Sequence, residues 1–464
     1  MSIQGILSKL LRVILLLSLI SLSNFSYAKE NGGDLDKPTK PISLTELEKQ
    51  NKIGSFELKN GLQVYVMPDH TSSAVYYNMW YKVGAAEDPI GKTGLAYFLE
   101  NLIDYRVIQN PKSTLREKLN SMKVSSKTET TWDTTCYRMF FNKEHLDTVL
   151  MLNAERFNLL DLTEDNIEQE KRVFLYKRKV AESPVTPLFT AANASFFWQH
   201  PYGKPVAGYE EDVNKYSLKD VQSFMNTWYA PNNAILVIGG DVSIPEAKQL
   251  VEKYYGKLEA KSMPTRERPR EPTHPLVGTY MVWAKAGFNK LHFQNIYRTP
   301  EHKKGDTALR GSLVLLEDIM GNSSSGLLQN LVNDQSTMKD IAASYIALLD
   351  AYSFVIFGNY LDNKDNSLLP NPPGVMKNMN QFIKEGIVEE QLKNAKKNFI
   401  VTTQNQIQNL PLFMEMIGKY GSFGYSLQDI DSFFLAINNL STSDVNTTLR
   451  SVISKGPELT IIAY

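Results

Sequence analysis

The sequence predicts an α+β protein built as two similar halves, each an antiparallel-rich sheet packed by helices. Three observations carry this expectation. The chain has 464 residues, more than one usual domain. Residues 261–275 have no periodicity, four prolines and six charges, which marks a boundary. On either side of that boundary the same order recurs. A strand (Ala74–Val83), a loop and a helix (Gly94–Tyr105) are echoed by a strand (Leu291–Tyr297), a polar loop and an apolar helix (Ala308–Met320). The long helix Glu164–Ala181 has its counterpart in Glu389–Asn405. The domains are therefore read as 53–260 and 276–464, with 261–275 as linker.

Taken in order, the chain opens with an export pattern. Lys9 and Arg12 precede an apolar run, Val13–Leu22, and a polar stretch ending Ser26-Tyr27-Ala28, so residues 1–28 read as a signal peptide. That run is too short for a comfortable membrane span, and no later segment approaches one. An uncleaved anchor is the alternative. Residues 29–52 are polar and read as a loosely held leader. Phe56–Leu58 and Leu62–Val66 flank Asn60-Gly61, a strong hairpin signal. A strand follows near Cys136–Phe141, then a helix at Leu146–Phe157, a buried strand at Ala234–Asp241 and a helix at Ser243–Tyr255.

Composition excludes several function classes. Hydrophobic residues at 42% and charged residues at 22% are ordinary for a globular chain. Lys+Arg and Asp+Glu are both 50, so no general attraction to nucleic acid is expected. Cleavage after Ala28 would leave 48 basic against 50 acidic residues. Cys136 is the only cysteine, which rules out an intramolecular disulfide and leaves none at the signal junction for lipid attachment. Its alternating surroundings, Thr134–Phe140, predict a buried strand thiol.

The most informative segment is 94–105, Gly-Leu-Ala-Tyr-Phe-Leu-Glu-Asn-Leu-Ile-Asp-Tyr. It has the frame of the zinc helix His-x-x-Glu-His, in which two imidazoles four residues apart share one helix face and the Glu serves as base. Glu100 is present, but Tyr97 and Asn101 stand where the histidines would be. Further segments in order are His200-Pro201-Tyr202-Gly203, Gly208–Asp212, Trp228–Ala234, Gly239–Val242 and Glu390–Lys396. With these the chain resembles the pitrilysin/insulinase/mitochondrial processing peptidase family from about residue 53 to its end.

The resemblance implies two homologous domains facing each other as a clamshell, with zinc on the N-terminal one. It places the third ligand seven residues after Glu170, on Lys177, a cation with no lone pair while protonated. It places the family's substrate-holding Asn-Ala-x-Thr strand on Lys127-Thr128-Glu129-Thr130 and its C-terminal Arg and Tyr near Val332 and Lys339. The family's Gly-rich turn is reduced to Gly321–Gly326, which is neither a phosphate loop nor a nucleophile elbow. No two of the six histidines lie three to five residues apart, and a site from Glu100, Glu170 and Asp104 would lack nitrogen and sulfur.

The expectation is thus an exported, periplasmic pseudopeptidase with no catalytic residue and no zinc. It would serve as a non-catalytic subunit or peptide-holding partner beside an active paralogue, or as a homodimer. A zinc endopeptidase with an unconventional site is the rival; a scaffold without a peptide role is the third reading. Glu100 is expected to be a helix carboxylate held by a new partner. Without the metal, Glu100 and Glu170 would repel, and Lys177 is expected to pair with one of them in the metal's place.

Overall fold

Asn60 and Gly61 make the first turn, with Gly61 at φ +82°, and join β1 (Gly54–Glu57) to β2 (Gln63–Pro68) as an antiparallel hairpin. The structure, a computed structural model, describes residues 43–104, 107–109, 112–157, 162–181, 186–271, 278–283, 292–300, 305–322, 328, 338–360 and 373–463. The signal segment 1–28, residues 29–42 of the leader, linker residues 272–275, turn residues 323–326 and Val332 lie outside them.

The remaining strands are β3 (Ala74–Tyr81), β4 (Val107–Gln109), β5 (Lys112–Thr114), β6 (Ser125–Thr130), β7 (Thr135–Asn142), β8 (Ala234–Gly240), β9 (Thr279–Trp283), β10 (His292–Arg298), β11 (Met338–Ala347), β12 (Tyr352–Tyr360) and β13 (Leu459–Ala463). The N-terminal half carries α1 (Leu44–Lys49), α2 (Leu95–Asp104), α3 (Leu115–Ser121), α4 (Leu146–Ala154), α5 (Glu164–Ala181), α6 (Thr186–Phe196), α7 (Glu210–Val213), α8 (Leu218–Trp228) and α9 (Ile244–Tyr255). The C-terminal half carries α10 (Thr307–Glu317), α11 (Pro373–Glu385), α12 (Glu389–Gln408), α13 (Leu410–Ser422), α14 (Leu427–Asn439) and α15 (Thr442–Ile453).

Two main sheets result, in the orders β1-β2-β8-β3-β7-β6 and β11-β12-β10-β13-β9. All pairings are antiparallel except β2 with β8 and β13 with β9. One face of the first sheet, with Val64, Val66, Tyr77 and Met79, packs on Phe98, Leu99 and Ile103 of α2 and Val149 of α4. Its other face is covered from the C-terminal half. Met414 and Ile417 of α13 share a core with Trp80, Ile235 and Val237. The approach is close: a Cβ at Gly418 would lie 2.0 Å from Trp80 Nε1. Reciprocally, Leu188, Ala192 and Phe196 of α6 join Ile296, Val355, Leu459 and Ile461 of the second sheet. Each half thus covers one sheet face of the other. Among the described residues no helix is long and apolar enough to cross a membrane.

The end of the leader, expected to be loosely held, is bound, and so is the linker. The end of the leader forms α1, where Leu44 is fully buried. Leu44 N and Thr45 N donate to Asp431 of α14 at 2.6 and 3.0 Å. A capped, amphipathic turn outweighs the local polarity here. Linker residues 261–271 have no helix or strand, but Arg266 and Arg268 are drawn in from solvent. The Arg268 side chain is 6% exposed and meets Glu87 at 2.6 Å, Asp133 at 2.7 Å and Asp350, in the β11–β12 turn, at 2.5 Å. The linker therefore ties the two halves together. Arg268→Ala should lower stability by roughly 3–5 kcal/mol in urea unfolding, because it strands buried carboxylates. Arg268→Lys should recover only part, since one ammonium cannot reproduce the guanidinium fork.

Candidate functional site

Helix α2 begins where Gly94 N and Ala96 N donate to the Asp88 carboxylate at 2.6 and 2.8 Å. Its apolar stripe is buried, which turns Glu100 inward to 3% exposure. Tyr97 and Asn101 lie one turn apart and are half-buried. Asn101 Nδ2 donates to Tyr97 O at 2.9 Å, so its amide is used within the helix. The Tyr97 ring packs edge-on against Phe174 of α5, centroids 5.3 Å apart. Burial first, then the charge of Glu100, pushes the Tyr97 phenol up. A phenol kept protonated at neutral pH is a poor ligand for a cation.

The partner of Glu100 comes from β6, the edge strand. Thr128 and Thr130, two apart on that strand, face the carboxylate together. Thr128 Oγ1 donates to Oε1 at 2.5 Å, and Thr130 Oγ1 donates to Oε2. Lys127 is exposed. Glu129, on the opposite face from the threonines, meets Arg138 of β7 at 2.8 Å, and Arg138 also holds Glu415 of α13 at 2.6 Å. The edge strand is thus fixed from both sides, by α2 and by the other half.

On α5, Lys177 Nζ lies 3.9 Å from Glu170 Oε1. The lysine therefore stands beside Glu170, within the reach expected of a replacement cation. Of the two carboxylates with which Lys177 was expected to pair, it stands beside Glu170, while β6 supplies two hydroxyl donors to Glu100. Glu170 is 8% exposed, and its Oε1 accepts no hydrogen bond. Burial pushes its carboxyl up, with Lys177 and Arg116 pulling the other way. The field of Glu100 reaches instead the buried phenols of Tyr137 and Tyr229, whose hydroxyls are 3.2 Å apart. Arg156, fully buried, stacks 4.3 Å over Tyr137. These three were not singled out in the sequence; a buried arginine at the end of an apolar helix has no local signal.

The donor set at the three family positions is a phenol, an amide and an ammonium, which does not fit zinc. Among the described residues no group of three or more His, Cys, Asp or Glu is placed to hold a metal ion. His200 caps a short turn and lies 3.7 Å from Asp350, and His292 is buried on β10 beside Asn359. Cys136 is buried on β7.

Two family profiles match this chain in tandem: "Insulinase (Peptidase family M16)" over residues 63–210 and "Peptidase M16 inactive domain" over 215–399. The chain belongs to the M16 (pitrilysin/insulinase) peptidase family. Among M16 relatives, zinc protease PqqE of Helicobacter pylori is 28% identical over 317 residues, 65% of this chain and 68% of that protein. The crystal structure of a protease from Helicobacter pylori superposes with a TM-score of 0.76 at 23% identity, covering 89% of this chain and 99% of that one. The periplasmic protease PqqL of Escherichia coli has the same fold over 89% of this chain and 47% of its own, with a TM-score of 0.76 at 14% identity.

Two expected outcomes follow from this geometry. Thr130→Val removes a buried donor to Glu100 and should cost roughly 1–3 kcal/mol in urea unfolding, with Glu100→Gln relieving part of that loss in the double variant. Glu170 has a raised folded-state pKa, so its contribution to stability is greatest while it is protonated and falls as pH rises through the carboxylate range. Lys177→Met removes a compensating charge and should widen that fall. The loss, at most about 1 kcal/mol because the lysine is partly exposed, should be seen at pH 8 and vanish near pH 4.

Proposed function

We propose that this chain is an exported pseudopeptidase of the M16 family, acting as a non-catalytic subunit or peptide-holding partner of an active zinc peptidase paralogue. The carrying observation is the substitution of all three ligand positions by Tyr97, Asn101 and Lys177, together with the use of both Glu100 oxygens by Thr128 and Thr130. A lone carboxylate without a metal to acidify water is a weak hydrolase. Holding an extended peptide needs only an available strand edge, and β6 ends its sheet with Ser125, Ser126 and Lys127 exposed. Export is supported by the Lys9–Ala28 pattern and by the shared fold of the periplasmic protease PqqL.

The zinc endopeptidase reading is favoured by the names of relatives such as PqqE. Metal analysis of the mature protein, paired with peptide cleavage, separates the two. The expected result is zinc well below one per chain and no cleavage difference between the parent and Glu100→Gln. Stoichiometric zinc with cleavage abolished by Glu100→Gln establishes the endopeptidase instead. Native co-purification should bring down an equimolar M16 chain with an intact His-x-x-Glu-His.

A further inference from the structure

The C-terminal half repeats the Glu100 arrangement and leaves it open. Glu317, at the end of α10, follows the end of β10 at the same interval at which Glu100 follows the end of β3. Ser344, on edge strand β11, donates to Glu317 Oε1 at 3.2 Å, as Thr128 of β6 does to Glu100. The C-terminal half keeps a cavity of about 180 Å³ between α10, α12, α13, α14 and β11. Phe399, Phe423, Phe433 and Phe434 supply its apolar wall.

The helix changes character at this point. Residues Asp318–Asn322 form a π-helical turn, an irregularity common at functional sites. The turn approaches β11 closely enough that a Cβ at Gly321 would lie 2.4 Å from Ala343 N. Asp318 lines the cavity at 7% exposure. Its Oδ2 accepts from Asn398 Nδ2 at 3.0 Å, while Oδ1 has no hydrogen-bond partner. The other charges at the wall have local engagements. Arg310 donates to the Tyr425 hydroxyl at 2.7 Å and stacks over Tyr425 and Phe433, both at 4.7 Å. Burial pushes the Lys419 ammonium down, with Glu415 pulling the other way, and it lies 5.8 Å from the Phe423 ring centroid.

We propose that this cavity is a ligand site for a primary ammonium carried on an apolar, residue-sized body, with Asp318 Oδ1 as the ammonium's acceptor and the phenylalanines around the body. A buried carboxylate oxygen without a donor is costly, and an ammonium supplies both charge and N–H groups. Aromatic faces suit a cation as well as an apolar body. The volume falls below the ~300–1,000 Å³ of pockets for drug-sized ligands, which limits the guest to about one side chain. Burial pushes the Asp318 carboxyl up to about 6, against the pull of Asn398, so it is mostly ionised above neutrality. A free amine and the amino-terminal residue of a peptide share this chemistry.

Titration calorimetry of the mature full chain with 2-phenylethylamine tests the site, independently of zinc at the N-terminal half. Saturable millimolar or tighter binding is expected, with 2-phenylethanol weaker by roughly tenfold or more because it lacks the charge-assisted bond. Asp318→Asn should reduce the amine's affinity by a similar factor and leave the alcohol's unchanged. The wild-type amine–alcohol comparison stands even if that variant folds poorly. A Phe-Gly-Gly amide that competes as well as the amine assigns the site to peptide amino termini; failure of the peptide to compete assigns it to free amines. Equal affinity for amine and alcohol, or no saturable amine binding, overturns the proposal.

Discussion

The fold depends on the exchange of helices between its halves. Neither sheet is covered by its own helices alone: α13 lies on the first sheet, and α6 lies on the second. The contact at α13 is set by the absence of side chains at Gly418 and Gly421, which admits Trp80 and Ile235. It is oriented by the half-buried Arg138, held between Glu129 and Glu415. At the other exchange, Arg298 holds Glu458 through two bonds of 2.6 and 2.7 Å and stacks on Phe196. Half-buried, ion-paired arginines thus fix the orientation at each crossing, where apolar contact alone would allow sliding. Because Arg138 reaches both β6 and α13, the geometry of edge strand β6 is a property of the two halves together.

Local signals were legible in the sequence. Asn60-Gly61 forces a hairpin, Ser243 with Glu246 closes a capping box on α9, and the helical period of 164–181 gives α5 with its bounds unchanged. What escaped was long-range. Nothing near Ser43–Lys49 announces Asp431, nearly four hundred residues away, and nothing in the polar run around Arg268 announces that Glu87, Asp133 and Asp350 converge on it. Charge-rich, proline-rich segments read as solvated because their partners are distant in the chain.

The candidate site was half legible for the same reason. The frame of 94–105 marked Tyr97, Glu100 and Asn101, the family resemblance implied Glu170 and Lys177, and the structure brings them to facing helices. The partner of Glu100 was sought among charges. A lysine is the obvious stand-in for a metal, yet Lys177 lies beside Glu170 and two threonines hold Glu100. The available signal was the period-two placement of Thr128 and Thr130 on an edge strand, which puts both hydroxyls on one face. Hydroxyls at that spacing satisfy two carboxylate oxygens without bringing a second buried charge, and so avoid the desolvation cost a lysine would carry.

The second half supplies an internal comparison for this arrangement. Glu317 and Ser344 repeat the pairing of an inward helix carboxylate with an edge-strand hydroxyl, in the half where the family resemblance places no zinc. A carboxylate–hydroxyl clamp is therefore a device that this fold sustains without a metal. At the N-terminal site the Tyr97 ring, on the same helix, packs against Phe174; at the C-terminal site a cavity lies beside the clamp, with an acid one residue further on. The duplicated architecture thus separates two roles that a zinc site would combine. One copy locks helix to edge strand, and the other retains the space and the unpaired acceptor atom on which ligand recognition can act.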